Sequence, residues 1–167
     1  MWLNRDRILT TIFGTRSMNT HATSIDLTCP VYEAFKALVT PSSIRTWWGA
    51  SRAIVVPGEG GIWAASWGEE DLPDFVNAFT ISRYEEPGLL QLTQFRYLDK
   101  KNPTPEFTFN MNIRFELSTT SNGCLLTISQ SGFPDTAEGY EFLKGCELGW
   151  KQTLNQLKQF LETTSER

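Results

Sequence analysis

From Phe107 to Leu117 every odd position is apolar and every even position polar. Successive side chains on a strand point to opposite faces, so this run predicts a strand with one buried and one wet face in an antiparallel sheet. Shorter runs predict further strands at Ser24–Leu27, Arg52–Val56, Ile62–Ser66, Phe75–Tyr84, Leu89–Tyr97 and Cys124–Ser131. Turn residues separate them at Pro57-Gly58-Glu59-Gly60-Gly61, Glu85-Glu86-Pro87-Gly88 and Ser121-Asn122-Gly123. The polar stretch Asp99–Glu106, with Pro103 and Pro105, reads as an exposed connection.

Two regions follow the helical period instead. Val31, Ala34, Phe35, Leu38 and Val39 lie on one face of a short helix, with Pro30 in its first turn and Thr28 or Cys29 as its cap. Thr40 then caps a second short helix that begins at Pro41 and stops at Gly49. Trp150, Leu154, Leu157 and Leu161 form the apolar stripe of a long C-terminal helix, Glu138–Glu162, whose charged residues read as a solvated face. Gly145 and Gly149 interrupt it at about 1 kcal/mol each relative to alanine, which predicts close packing or empty space above them.

Trp47-Trp48 ends the second short helix. Neighbouring helical residues point about 100° apart, so one indole is expected in the core and the other at a rim, as a gate.

The length of 167 residues suits one domain. Residues 1–17 carry Trp2, Leu3, Ile8, Leu9, Ile12 and Phe13 among Arg5, Arg7 and Arg16, without the continuous apolar core of a secretory signal. They read as an N-terminal extension ahead of Met18, from a start site or from cloning, with a surface-docking helix as the alternative. Residues 18–167 then form the domain. Aromatic residues make up 13% of the chain, more ring surface than a small core needs, and suit the lining of an apolar cavity.

A net charge of -4 argues against nucleic acid as a partner, because phosphate binding needs clustered lysine and arginine. Three cysteines without Cys-x-x-Cys spacing support neither a disulfide framework nor zinc, and suit the cytoplasm. His21, the lone histidine, is expected ahead of the first strand, which disfavours histidine-dependent metal sites and nucleophile pairs. No apolar run is long enough to span a membrane. Glu69-Glu70-Asp71 reads as a solvated loop, Cys146 as an inert thiol, and no metal or cofactor is expected. Asp74, Asn77, Arg83, Arg96 and Glu106 are candidate polar contacts for a ligand.

The order of strand, helix pair, six-stranded antiparallel meander and long helix resembles the helix-grip fold of the START-like, or SRPBCC, superfamily. Thr40-Pro41 leading to Ile44 and Trp47-Trp48, Gly60-Gly61 before Trp63, Gly123 to Ser129 followed by Ser131-Gly132-Phe133, and Gly149-Trp150 resemble the activator of heat shock protein 90 ATPase homologue group. The resemblance runs from Ser24 to Leu161. It implies an α+β fold in which a curved antiparallel sheet of about six to seven strands wraps the long helix and leaves a hydrophobic cavity. Carried onto this chain, it implies a lining of Phe107, Phe109, Met111, Ile113 and Phe115 with Trp63, Phe79, Ile81, Leu126, Ile128, Cys146 and Trp150. Trp47, Trp48 and Trp67 would lie nearer the mouth.

Three functions are open at this point. Binding of a small apolar, aromatic or lipid-like molecule ranks first. A START-like enzyme of cyclase or hydrolase type would need an inward acid, base or polar pair. Regulation of a chaperone ATPase rests on the group's name alone; the eukaryotic activators carry a separate chaperone-binding domain ahead of this one, and the first seventeen residues offer nothing comparable. An exposed indole at Trp47-Trp48 would equally suit a homodimer contact.

Overall fold

A computed structural model of the chain describes residues 18–165, so the extension expected at 1–17 lies outside the described residues. Strand β1 spans Met18–Leu27, α1 Val31–Val39, α2 Pro41–Trp48, β2 Arg52–Val56 and β3 Ile62–Gly68. They are followed by β4 at Pro73–Glu85, β5 at Leu89–Asp99, a 3₁₀ turn at Glu106–Asn110, β6 at Asn112–Thr120, β7 at Gly123–Pro134 and α3 at Ala137–Ser165. The strands form one curved antiparallel sheet in the order β1-β7-β6-β5-β4-β3-β2. Consecutive strands β2 to β7 are neighbours, and β1 adds to β7 at the far edge. Helix α3 packs against β1, β7, α1 and α2, and the fold is the expected helix grip.

Local chemistry sets the helix pair. The carbonyl of Pro30 accepts from the N–H groups of Glu33 (3.0 Å) and Ala34 (3.3 Å), so Pro30 is itself the N-cap residue of α1, in place of Thr28 or Cys29. Thr40 is the N-cap residue of α2, Pro41 fills its first turn, and Gly49 ends it in the left-handed region at φ 67°, where glycine escapes the steric cost of a Cβ. Ile44 of α2 and Phe35 of α1 are fully buried, anchoring the pair on the core.

Two further expectations require correction. First, β1 starts at Met18, so His21 lies within a strand; it stands opposite Gln130 of β7, and its Nδ1 lies 3.4 Å from Glu147 Oε1 on α3. Second, the alternating run from Phe107 is not all strand. The Pro105 carbonyl accepts from both the N–H (3.1 Å) and the Oγ1 (2.8 Å) of Thr108, and the Met111 N–H donates to the Thr108 carbonyl (3.0 Å). These bonds wind residues 106–110 into a tight turn, which puts Phe107 against Phe142 but leaves Phe109 41% exposed beneath the Arg96 guanidinium.

Strand β5 contains the expected Leu89–Tyr97 and changes face partway along. Leu90 and Leu92 are buried, then Phe95 is, because Gln94 at φ 54° takes up one extra residue and reverses the alternation. Thr80 Oγ1 of β4 donates to Gln94 Oε1 (2.8 Å) across this bulge. Strand β6 pairs with β5 only from Leu89 to Leu92. Past the bulge β5 lies beside the 3₁₀ turn, so the sheet parts near Phe95 and Tyr97.

Candidate functional site

Four of the five described tryptophans place their indole N–H on a fixed acceptor. Trp47 donates to the Ala37 carbonyl and Trp63 to the Leu38 carbonyl, both at 2.9 Å, so the two rings lock α1 to α2 and to the sheet. Trp67 donates to the Trp48 carbonyl (3.1 Å), and Trp150 of α3 to Gln130 Oε1 of β7 (2.8 Å). Trp48 is the exception. It is half-buried and packs against four other indoles, Trp47, Trp63, Trp67 and Trp150, at 5.1 to 5.6 Å between ring centroids.

From Trp48 a belt of rings runs round the inside of the molecule. Trp63 meets Phe79 (5.8 Å), Phe79 stacks on Phe95 (4.5 Å, 7° between planes), Phe95 meets Tyr97 (5.9 Å), and Tyr97 meets Phe142 of α3 (6.0 Å). Helix α3 closes the belt, because Trp150, two turns beyond Phe142, returns to Trp48 at 5.6 Å. Cys146 lies between those two rings, and a Cβ built on Gly145 or Gly149 would meet no atom within 4 Å. The belt therefore borders open space, which reaches solvent beside the exposed Glu141 and Gly145. That space has a volume of about 500 Å³, within the usual range for small-molecule sites. Trp48, Phe79, Phe95, Tyr97, Ile113, Phe142 and Trp150 give its apolar lining, Asn77, Gln130, Glu141, Cys146 and Thr153 its polar one, and Gly145 and Gly149 complete the wall.

The sequence-derived candidates divide accordingly. Trp48, Phe79, Ile113, Cys146 and Trp150 meet at the cavity. Trp47, Trp63, Ile81 and Met111 are buried in the surrounding core, Trp67 braces Trp48, Phe107 backs Phe142, and Phe109 faces outward. Trp47 also edges an external groove between α2 and α3, but the groove's other walls include the exposed Thr46, Gly49, Gln156 and Gln159. Of the polar candidates only Asn77 reaches the cavity. Asp74 lies 3.8 Å from Lys100, Arg83 lies beside Glu59 and Glu85, and Arg96 covers Phe109.

Sequence reasoning missed Phe95, Tyr97, Gln130, Phe142 and Thr153. A signal existed for several. The gap of three between Leu92 and Phe95 breaks a period of two, as a bulge does. Phe142, Cys146 and Trp150 recur at spacing four, and Gln130 continues the inward series Cys124, Leu126, Ile128.

The interior is electrically quiet. Burial pushes the Cys146 thiol up to about 11 despite a hydrogen bond from Gln130, and burial likewise raises Tyr97, helped by Asp99 and Cys146. Both are neutral at pH 7. No lysine, arginine or histidine lines the cavity, and Glu141, its one carboxylate, is exposed. Asn77 Oδ1 is buried with no hydrogen-bond partner among the described residues. No group of three or more histidine, cysteine, aspartate or glutamate side chains among the described residues could hold a metal ion, and no described helix is long and apolar enough to cross a membrane.

Similar folds occur in solved structures. Protein MLL2253 from Mesorhizobium loti superposes with a TM-score of 0.69 at 23% identity, covering 87% of this chain and 98% of its own. Protein NE0264 from Nitrosomonas europaea gives 0.68 at 17% identity, with 89% and 97% covered. The Aha1 dimer from Colwellia psychrerythraea gives 0.63 at 17% identity, with 86% and 96% covered. No curated protein matches the chain. The family described as Activator of Hsp90 ATPase homolog 1-like protein matches residues 28–162, most of the helix grip and all of α1, α2 and the aromatic belt, and the chain belongs to that family.

Proposed function

We propose that this protein binds one small, flat, largely apolar molecule in the cavity between the sheet and the first half of α3. The observation that carries this reading is the closed belt of rings bordering unfilled space above Gly145 and Gly149. Aromatic side chains prefer offset-stacked or edge-to-face neighbours, and an aromatic guest would supply those contacts on several sides at once. Glycine in a helix costs about 1 kcal/mol relative to alanine, and two of them one turn apart leave room for a guest where larger residues would fill it.

General acid-base chemistry is poorly served by this lining. Glu141 sits at the solvent edge, while Cys146 and Tyr97 hold their protons at neutral pH. Binding therefore ranks ahead of a cyclase or hydrolase. Chaperone regulation rests on the family's description, and stimulation of a cognate chaperone's ATPase by the purified protein would place it first. One structural neighbour is described as a dimer, but Trp48 is engaged by four indoles of its own chain and is a poor candidate for a dimer contact. The three free cysteines suit a reducing setting such as the cytoplasm.

Native mass spectrometry of protein purified without detergent tests the binding reading. We expect a bound apolar species, or uptake of an added aromatic probe at one per chain. Protein that carries nothing and takes up no probe overturns it.

A further inference from the structure

We propose that the guest is a neutral aromatic molecule bearing a hydroxyl group, whose O–H is received by the side-chain amide of Asn77. The inference rests on the binding reading above and adds the chemistry of the ligand. Asn77 sits on the inward face of β4, two residues before Phe79, directly opposite Ala65 of β3 and Tyr97 of β5. It lines the cavity, yet its Oδ1 is buried and unpartnered. Buried polar atoms are nearly always paired, and an unpaired carbonyl oxygen carries an uncompensated desolvation cost. The terminal torsion of asparagine is broad, so rotation of the amide can turn Oδ1 from its buried position toward a guest in the cavity. A donor arriving there relieves the cost.

The rest of the wall fixes the charge. A carboxylate or phosphate guest needs a cation or several converging donors once taken from water; no lysine, arginine or histidine lines this space, and its neutral donors on Asn77, Tyr97, Gln130 and Thr153 are spread over β4, β5, β7 and α3. Gln130 Oε1 is occupied by the Trp150 indole N–H. A cationic amine would find only Glu141, on the exposed edge. Rings on most sides, a buried unpaired acceptor and no charge inside match a phenol or a similar aromatic alcohol better than a fatty acid.

Three probes of one shape separate the possibilities: naphthalene, 2-naphthol and 2-naphthoate, titrated at pH 7 into the protein and followed by the indole N–H resonances of Trp48 and Trp150. The expected order is 2-naphthol tighter than naphthalene by about 5- to 10-fold, the factor one net hydrogen bond gives, with 2-naphthoate weakest. Asn77→Leu removes the advantage of 2-naphthol over naphthalene, and Asn77→Ser, which keeps a smaller hydrogen-bonding group, retains part of it. Equal affinity for naphthalene and 2-naphthol in the unmodified protein overturns the hydroxyl assignment and leaves the cavity reading standing. Binding of 2-naphthoate as tight as 2-naphthol overturns the neutrality. No response to any probe removes the cavity reading and this inference together.

Discussion

The two halves of α3 do different work with the same helix. In the second half Leu154, Leu157 and Leu161 are all but fully buried, and α1 and α2 pack against the helix. In the first half Phe142, Gly145, Cys146 and Gly149 line the cavity, and a Cβ built on either glycine meets no sheet atom within 4 Å. One half is core and the other borders a hollow. The difference lies in side-chain volume along one inward stripe and not in the backbone, which is continuous helix throughout. A helix-grip protein can therefore carry a solid anchor and a binding site on one element, the anchor supplying the stability that the hollow forgoes.

The comparison breaks most visibly at the tryptophan doublet. Trp47→Ala should cost about 3 to 5 kcal/mol in denaturant unfolding, because a buried, hydrogen-bonded indole is lost from the solid side. Trp48→Ala should cost less and chiefly weaken probe binding, since that ring is half-buried and borders the hollow. Equal losses of stability with unchanged binding would make both plain core. Along α3, Leu157→Ala should cost about 2 to 5 kcal/mol. Cys146→Ala should be much milder, because one side of that thiol meets open space; the same unfolding curves compare them directly.

Gly149→Ala should raise stability by up to about 1 kcal/mol, since the added methyl meets nothing and the helix gains propensity. A loss would mean that the space is closed in solution. The smallest effect concerns pH. Cys146 and Cys124 are raised to about 11 from an ordinary value of 9.0, both chiefly by burial, so between those values the folded chain holds more protons than the unfolded one. Stability should fall as pH rises from about 9 to about 11. Cys146→Ala should flatten part of that slope, read from chemical denaturation at a series of pH values.

Much of this architecture was legible in the chain. The stripe Trp150-Leu154-Leu157-Leu161, the caps at Thr40 and Gly49, and the hairpin turns all follow from local periodicity and backbone chemistry, which a sequence records directly. The site was less legible, because it depends on two interruptions of that periodicity. Alternation across 107 to 117 favoured one strand, but Pro105 and Thr108 close a turn inside it, and Phe109 turns to solvent. In β5 the broken alternation between Leu92 and Phe95 hints at the bulge at Gln94, but only the strand register shows that it brings Phe95 and Tyr97 inward. Trp47 and Trp48 could be divided into core and rim from helical geometry alone. That Trp48 joins a belt reaching Phe142 required the sheet register and the closing turn of α3.

The central claim is that the space beside the first half of α3 is open and takes an aromatic guest. It is tested most directly by titrating 2-naphthol into the unmodified protein and into Gly149→Leu, whose side chain would occupy that space, while following the indole N–H resonances. The account predicts shifts at Trp48 and Trp150 larger than at Trp47 in the unmodified protein, and their loss in a Gly149→Leu variant that stays folded. Undiminished shifts in that variant, or no shift in either protein, would contradict it.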